Sequence, residues 1–317
     1  MKNKRCLYCY QLLSENEIDF HSRCSSKMFS TAVPPVLEYS KDSMEEIARQ
    51  IILRSVAVTG VQSKLALTIE PQPGDPKRSR FTIVGLWGGY ILKPPSSEFP
   101  SLPENEDLTM HLATIFGIAT AEHALIRLAS NELAYITKRF DRVGNEKLAM
   151  EDMCQLTETL TDDKYRGSME KIGKYIERFS SQPGLDKITF FEMALFSFLT
   201  GNADMHLKNF SLLTSKDNLV QLSPAYDMLN TKLALPKDTE ELALTLNAKK
   251  RKLSQSDFNR FGLALNIPEN VLNRTYSRFA KQLNVAINFI KISFLSPKEQ
   301  KAYTTLLQER AVRAGIS

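Results

Sequence analysis

Two stretches of this 317-residue sequence gather residue types that can move a phosphoryl group. The first reads Gly201-Asn202-Ala203-Asp204-Met205-His206-Leu207-Lys208-Asn209, and the second Ser223-Pro224-Ala225-Tyr226-Asp227. Phosphoryl transfer asks a protein for a carboxylate to take the nucleophile's proton, oxygen ligands for Mg²⁺ and a cation for the phosphate oxygens. Asp204 can be the base. Asn209 and Asp227 offer the few hard oxygens that Mg²⁺ accepts from protein while phosphate and water fill its other positions. Asp and Asn are also common turn and cap residues, so a single Asp-x4-Asn carries little by itself.

The surroundings raise its weight. Asn209 follows Asp204 by five positions and a second acid follows downstream, the spacing of a kinase catalytic loop and its metal-binding Asp. Lys93 ends the apolar run Tyr90-Ile91-Leu92-Lys93, where it can hold the α- and β-phosphates of ATP. The next predicted helix carries Glu104 and Glu106. Either can orient Lys93, and either can simply be the acidic first turn that helices favour. His206 can touch phosphate or be a structural histidine. The segment Thr59-Gly60-Val61-Gln62-Ser63-Lys64 is a candidate phosphate-covering turn, although it has one glycine where the usual loop has three. Glu151 and Met153 fall where two lobes would join and can meet adenine, while methionines also serve as core gap fillers.

These residues need elements to hold them. Residues 43–53 are predicted helical, with Met44, Ile47, Ile51 and Ile52 on one side. Ser55–Thr59 and Lys64–Glu70 alternate as a strand–turn–strand hairpin. Pro71–Arg80 reads as a polar loop, and Phe81–Val84 and Tyr90–Lys93 as further strands. A helix starting near Pro103 and stopping at Gly117 follows, then a strand at Ala134–Phe140 and a long apolar helix at Ile188–Leu199. A short strand is expected at Phe210–Leu213, and amphipathic helices near 254–264, 269–291 and 297–313. The expected division is a small Cys/His segment at 1–30, a β-rich lobe with the nucleotide loop at 31–150 and a helical lobe at 151–317.

Within residues 1–30, Cys6, Cys9, His21 and Cys24 form C-x2-C and H-x2-C pairs. Thiolate and imidazole ligands at such spacing can close a structural Zn²⁺ site. Reduced thiols in a small capping segment fit the same residues. The four cysteines are too few for a disulfide framework in a chain this long. The net charge of +5 is a weak bias, and the densest basic cluster, Lys249–Lys252, reads as a solvated loop. No secretory leader and no run near the roughly 18 apolar residues of a membrane span are visible, so a cytoplasmic protein is expected.

Taken in order, several motifs resemble the HipA-type serine/threonine kinase toxins. They are Gly60–Lys64, Tyr90–Pro94, Leu102–Glu106, Lys138–Arg142, Glu151–Gln155, Asp163-Lys164-Tyr165, Asp204–Phe210 and Tyr226-Asp227. The resemblance implies an α+β, two-lobed, protein-kinase-like fold with a β-rich N-lobe and a helical C-lobe. It implies Asp204 as base, Asn209 and Asp227 as Mg²⁺ ligands, Lys93 on phosphate, Thr59–Lys64 as nucleotide loop and Glu151 with Met153 at adenine. The chain looks like the short form, HipT of HipB–HipS–HipT systems, which implies a HipS-like small antitoxin and a HipB-like DNA-binding partner. The implied substrates are aminoacyl-tRNA synthetases, whose phosphorylation halts translation, and no base-specific DNA contact by this chain is implied. Family members autophosphorylate serines just before the nucleotide turn. Where short forms carry Ser-x-Ser, this chain reads Ser55-Val56-Ala57, which leaves Ser55 as the expected site. Other classes stay open on the residues alone: a small-molecule phosphotransferase, a catalytically silent kinase-fold interaction module, or a zinc-dependent nucleic-acid binder using residues 6–24.

Overall fold

The structure, a computed structural model, describes residues 4–44, 46–47, 64–84, 87–99, 101–144 and 146–316. They form two compact units. One holds the described residues up to Asp107 together with Ala121–Phe140, and the other holds Leu108–Thr120 and the residues from Asp141 onward. The division falls inside one helix. No helix among the described residues is long and apolar enough to cross a membrane.

The first unit is built on an antiparallel sheet. Its strands are β1 (Leu65–Gln72), β2 (Asp75–Val84), β3 (Tyr90–Lys93), β4 (His123–Arg127) and β5 (Leu133–Lys138), in the order β2-β1-β3-β5-β4. In β1, Leu65 and Leu67 are buried while Ala66 and Thr68 are not, the two-residue period of a strand with one covered face. Helix α1 (Ser22–Phe29) covers part of this sheet. Its Phe29 ring meets Phe81 of β2 at 5.6 Å and Tyr90 of β3 at 6.1 Å, and the Tyr90 hydroxyl donates to the Met28 carbonyl at 3.1 Å. The edge-on Phe29–Phe81 pair stabilises beyond the area that it buries.

The second unit is helical around a buried helix. Helix α2 (Leu102–Ile115) contributes its later turns; α3 (Met153–Leu156) and α4 (Met169–Phe179) precede α5 (Pro183–Thr200). Pro183 starts α5 where its missing N–H costs nothing. From Phe190 to Thr200 every residue of α5 is buried, as expected of a helix apolar on all sides. Phe190 packs on Phe210 at 5.1 Å, Phe198 on Phe258 at 5.2 Å and Phe196 on Phe116 at 5.7 Å. Those partners include residues of α7 (Gln255–Ala264), which follows the short α6 (Thr231–Ala234); α8 (Glu269–Ile290) and α9 (Pro297–Arg313) complete the layer. Beside the helices lie a small hairpin, β6 (Arg142–Val143) with β7 (Glu146–Lys147), and a sheet of β8 (Met150–Asp152), β9 (Ser211–Thr214) and β10 (Val220–Leu222) in the order β10-β9-β8.

One expectation is overturned. Pro71–Arg80 is not a loop: β1 runs to Gln72, Pro73 and Gly74 turn, and β2 begins at Asp75 opposite Gln72. Gly74 takes φ +82°, which a two-residue turn demands and glycine supplies without steric cost. The charges that suggested a loop sit on β2, the outermost strand of the sheet, where charged side chains are favoured. Of the helix expected at 43–53, residues 43, 44, 46 and 47 are helical and the rest lie outside the described residues. The basic cluster is a surface turn in which Lys249 pairs with Asp257 at 2.8 Å and Lys250 with Glu240 at 3.3 Å.

Candidate functional site

Helix α5 ends in a way that fixes the chain after it. Gly201 caps the helix at φ +70°, and a Cβ there would stand 2.6 Å from Leu306 Cδ2. The Asn202 N–H returns to the Ser197 carbonyl at 2.8 Å. The Asn202 Oδ1 accepts the Asp204 N–H at 3.1 Å, and the Ala203 N–H donates to Thr231 Oγ1 at 2.9 Å. Asp204 therefore leaves the helix on a stretch tied at each residue. The Tyr165 hydroxyl donates to Asp204 Oδ1 at 2.6 Å, and the Leu207 N–H donates to the Lys164 carbonyl at 3.1 Å. Thus Asp163-Lys164-Tyr165 buttresses the loop.

Asn209 closes a short 3-10 turn, Leu207–Asn209, and leads directly into β9. The β9–β10 hairpin then folds the chain back, with Leu222 opposite Leu212 and the Ser223 N–H on the Ser211 carbonyl at 2.9 Å. This return carries Asp227 to the end of the hairpin at which Asn209 enters it. Tyr226 locks the return: its hydroxyl donates to the Lys208 carbonyl at 2.8 Å and lies 2.6 Å from Ser211 Oγ. Asp227 itself sits at φ +59°. A non-glycine residue pays for that conformation, and such strain gathers at functional positions.

The electrostatics draw these groups together. Burial pushes the Tyr165 phenol well above its ordinary value, helped by its bond to Asp204 and by the charges of Asp204 and Asp227. Burial lowers the His206 imidazole below its ordinary value; Asp204 and Asp227 oppose that shift and Lys164 reinforces it. Both acids thus act on the same two rings, which meet edge-on at 5.1 Å. In this segment the buried Asn202 Nδ2, His206 Nδ1 and Asn209 Oδ1 have no hydrogen-bond partner among the described residues. A buried polar atom left so costs about 1–3 kcal/mol. An unpartnered amide oxygen with the Asp227 carboxylate nearby in the fold is a hard-oxygen set that suits Mg²⁺.

The first unit holds Lys64, Lys93 and Glu106. Lys93 is 4% exposed, and its Nζ meets Glu106 Oε1 at 2.5 Å. Glu106 of the two candidate acids is thus seen paired with Lys93. The ammonium also lies 5.4 Å from the Tyr135 ring centroid, across the β3–β5 pairing of Lys93 with Tyr135. Lys64 is exposed just before β1. Ser55, Thr59, Gly60, Val61, Gln62 and Ser63 lie outside the described residues. In the second unit, Glu151 is exposed in β8, and Met153 begins α3 with 0% exposure. The Met153 N–H is used on the Phe210 carbonyl at 2.9 Å, so Met153 packs inside while Glu151 faces out.

Sequence reasoning gave no role to Tyr165, Asn202 or Tyr226. Tyr165 stands in a quoted motif, but no spacing rule ties it to Asp204, 39 positions away.

Comparison with known proteins fits this geometry. The family model described as "HipA-like C-terminal domain" matches residues 56–287. A putative kinase of Haemophilus influenzae is 28% identical over 265 residues, covering 75% of each chain. The putative kinase Y4dM of Sinorhizobium fredii is 31% identical over 68% of this chain, which spans 55% of that protein. The serine/threonine-protein kinase toxin HipA of Shewanella oneidensis is 26% identical over 73% of this chain and 56% of its own length. Among solved structures, the Shewanella oneidensis complex of HipA, HipB and operator DNA superposes with a TM-score of 0.65 at 20% identity, covering 85% of this chain and 71% of that one. The Helicobacter pylori proinflammatory kinase CtkA gives 0.50 at 18% identity, covering 72% and 88%.

Proposed function

Because the chain belongs to the HipA-like C-terminal domain family, and so has a kinase-like fold, we propose that it is an ATP- and Mg²⁺-dependent serine/threonine protein kinase serving as a toxin. The observation that carries this reading is the buried Asn209 Oδ1 without a partner, on the hairpin that returns Asp227 to it. Asn209 and Asp227 would hold Mg²⁺, which would supply positive charge to the phosphate oxygens. Tyr165 occupies Asp204 Oδ1, which leaves Oδ2 to accept the proton of a substrate serine. As that proton moves, the serine oxygen bonds to the γ-phosphorus, the bond to the β,γ-bridging oxygen breaks and ADP leaves. His206, whose buried Nδ1 has no partner among the described residues, donates an Nδ1–H to a phosphate oxygen. Lys93, held by Glu106, binds the α- and β-phosphates. Thr59–Lys64 covers them, and Glu151 contacts adenine with Met153 as buried support.

The kinase and HipA names of the relatives support phosphoryl transfer to protein, and the HipB and DNA in the solved complex support a HipB-like partner. The motif resemblance adds a HipS-like small antitoxin, an aminoacyl-tRNA synthetase as substrate and a cytoplasmic site of action. Ser55 is the proposed autophosphorylation site, where a phosphate of about −1.5 to −2 charges repels nucleotide. The test is phosphoproteomics after brief expression of wild type and of Asp227→Asn. A phosphoserine on an aminoacyl-tRNA synthetase, and one on Ser55, are expected in wild type alone. Identical phosphoserine sets in the two samples would overturn the proposal.

A further inference from the structure

The N-terminal segment brings its chemistry together far from the loop at Asp204 in sequence. Cys6 Sγ, Cys9 Sγ, His21 and Cys24 Sγ offer ligand atoms that all lie within 4.8 Å of one another. The imidazole is turned for the purpose. Its Nδ1 lies 3.4 Å from Cys9 Sγ and 3.6 Å from Cys24 Sγ. Ligand atoms about 2.0–2.3 Å from a tetrahedral zinc stand at nearly those separations from one another. The opposite nitrogen, Nε2, is 3.0 Å from the Leu12 carbonyl, an acceptor only. Nε2 therefore carries the proton, and Nδ1 presents its lone pair to the sulfurs, the arrangement by which a backbone carbonyl on the far nitrogen orients a metal-binding histidine.

The backbone is shaped to the same end. After Cys9 the chain turns at Tyr10 with φ +62°. The Tyr10 N–H returns to the Cys6 carbonyl at 3.0 Å, and the Cys6 N–H donates to the Gln11 carbonyl at 2.9 Å. This tight knuckle presents both thiols of the C-x2-C pair to one point. His21 and Cys24 come from the start of α1, where the Cys24 N–H donates to the His21 carbonyl at 2.9 Å. Buried cysteines that merely fill a core have no need of an imidazole between them or of a left-handed tyrosine.

Tyr10 also shows what the knuckle serves. Its hydroxyl donates to Asp107 Oδ2 at 2.7 Å, and His123 Nδ1 meets Asp107 Oδ1 at 2.7 Å. Asp107 is the neighbour in α2 of Glu106, the partner of Lys93. The His123 ring stacks on Tyr135 at 6.0 Å, and Tyr135 lies beneath the Lys93 ammonium. A run of contacts thus leads from the knuckle to the Lys93–Glu106 pair. We propose that Cys6, Cys9, His21 and Cys24 bind a structural Zn²⁺, and that the knuckle it closes fixes, through Tyr10 and Asp107, the helix turn that carries Glu106. The metal site stands without the kinase reading; only its consequence for nucleotide binding rests on it.

The test measures metal in the purified full-length chain before any nucleotide is added. About one zinc per chain is expected, released only when the thiols are modified. Cobalt in its place should show tetrahedral d–d bands and thiolate charge transfer. Cys9→Ser and Cys24→Ser should lose most of the metal. Tyr10→Phe should keep it yet weaken binding of a fluorescent ATP analogue several-fold. A metal-free wild type with all thiols reactive, a disulfide among Cys6, Cys9 and Cys24 by mass, or full zinc in Cys9→Ser would each overturn the site. Unchanged analogue binding in Tyr10→Phe would overturn the positioning role. Absence of binding by wild type would count against the kinase reading and leave the zinc result standing.

Discussion

The Lys93–Glu106 pair and the Asp204–Asn209 loop are both buried polar groups in apolar surroundings, and they are satisfied in opposite ways. Lys93 has its carboxylate, its aromatic neighbour and a strand on each side. In the loop, Asn209 Oδ1, His206 Nδ1 and Asn202 Nδ2 have no hydrogen-bond partner among the described residues, although the backbone there is tied almost residue by residue. A buried ion pair that closes on itself holds a shape. A rigid loop with open polar atoms keeps its orientation while waiting for a ligand to complete it. The two regions therefore differ in what they leave open: the pair has its partner within the protein, and on the proposed reading the loop gains its own from a ligand.

Substitutions can break that contrast. The largest effect on stability is expected at the finished pair. Lys93→Ala removes the ammonium from beside the Glu106 carboxylate, which is 1% exposed, and should cost about 3–5 kcal/mol in urea unfolding. Lys93→Met combined with Glu106→Leu should recover most of that loss without recovering nucleotide binding. In the loop the pattern should invert. Asn209→Ala removes a buried oxygen that nothing satisfies, so stability should change by less than about 1 kcal/mol, while Mg²⁺-dependent nucleotide binding disappears. Equal stability losses at Lys93 and Asn209 would erase the distinction. A smaller effect is expected for Tyr165→Phe. The phenol is 42% exposed, so losing its bond to Asp204 should lower kcat by about tenfold or less, near 1 kcal/mol, with KM for ATP unchanged.

Much of this was legible in the sequence for local reasons. Helix α5 announces itself because a helix apolar on every side must be buried. Asp204, Asn209 and Asp227, the proposed base and metal ligands, stand out in the sequence because a tight loop and a hairpin return impose short spacings. The edge hairpin was misread because charges and prolines on an outer strand look like a loop. Whether Glu104 or Glu106 meets Lys93 depends on the phase of α2 against β3, which neither segment encodes alone. Tyr10 and Asp107 lie 97 positions apart, and no local pattern links them. Ser55 and residues 59–63 of the proposed nucleotide loop lie outside the described residues, so their roles are read from the sequence alone.

The most direct measurement is self-labelling by γ-labelled ATP with Mg²⁺, comparing wild type with Asp204→Asn at matched folding. The account predicts label on wild type, a loss of about 10²–10⁴-fold in Asp204→Asn, and retained ATP binding by that variant. Equal labelling of the two proteins, or no labelling of a nucleotide-binding wild type, would contradict it.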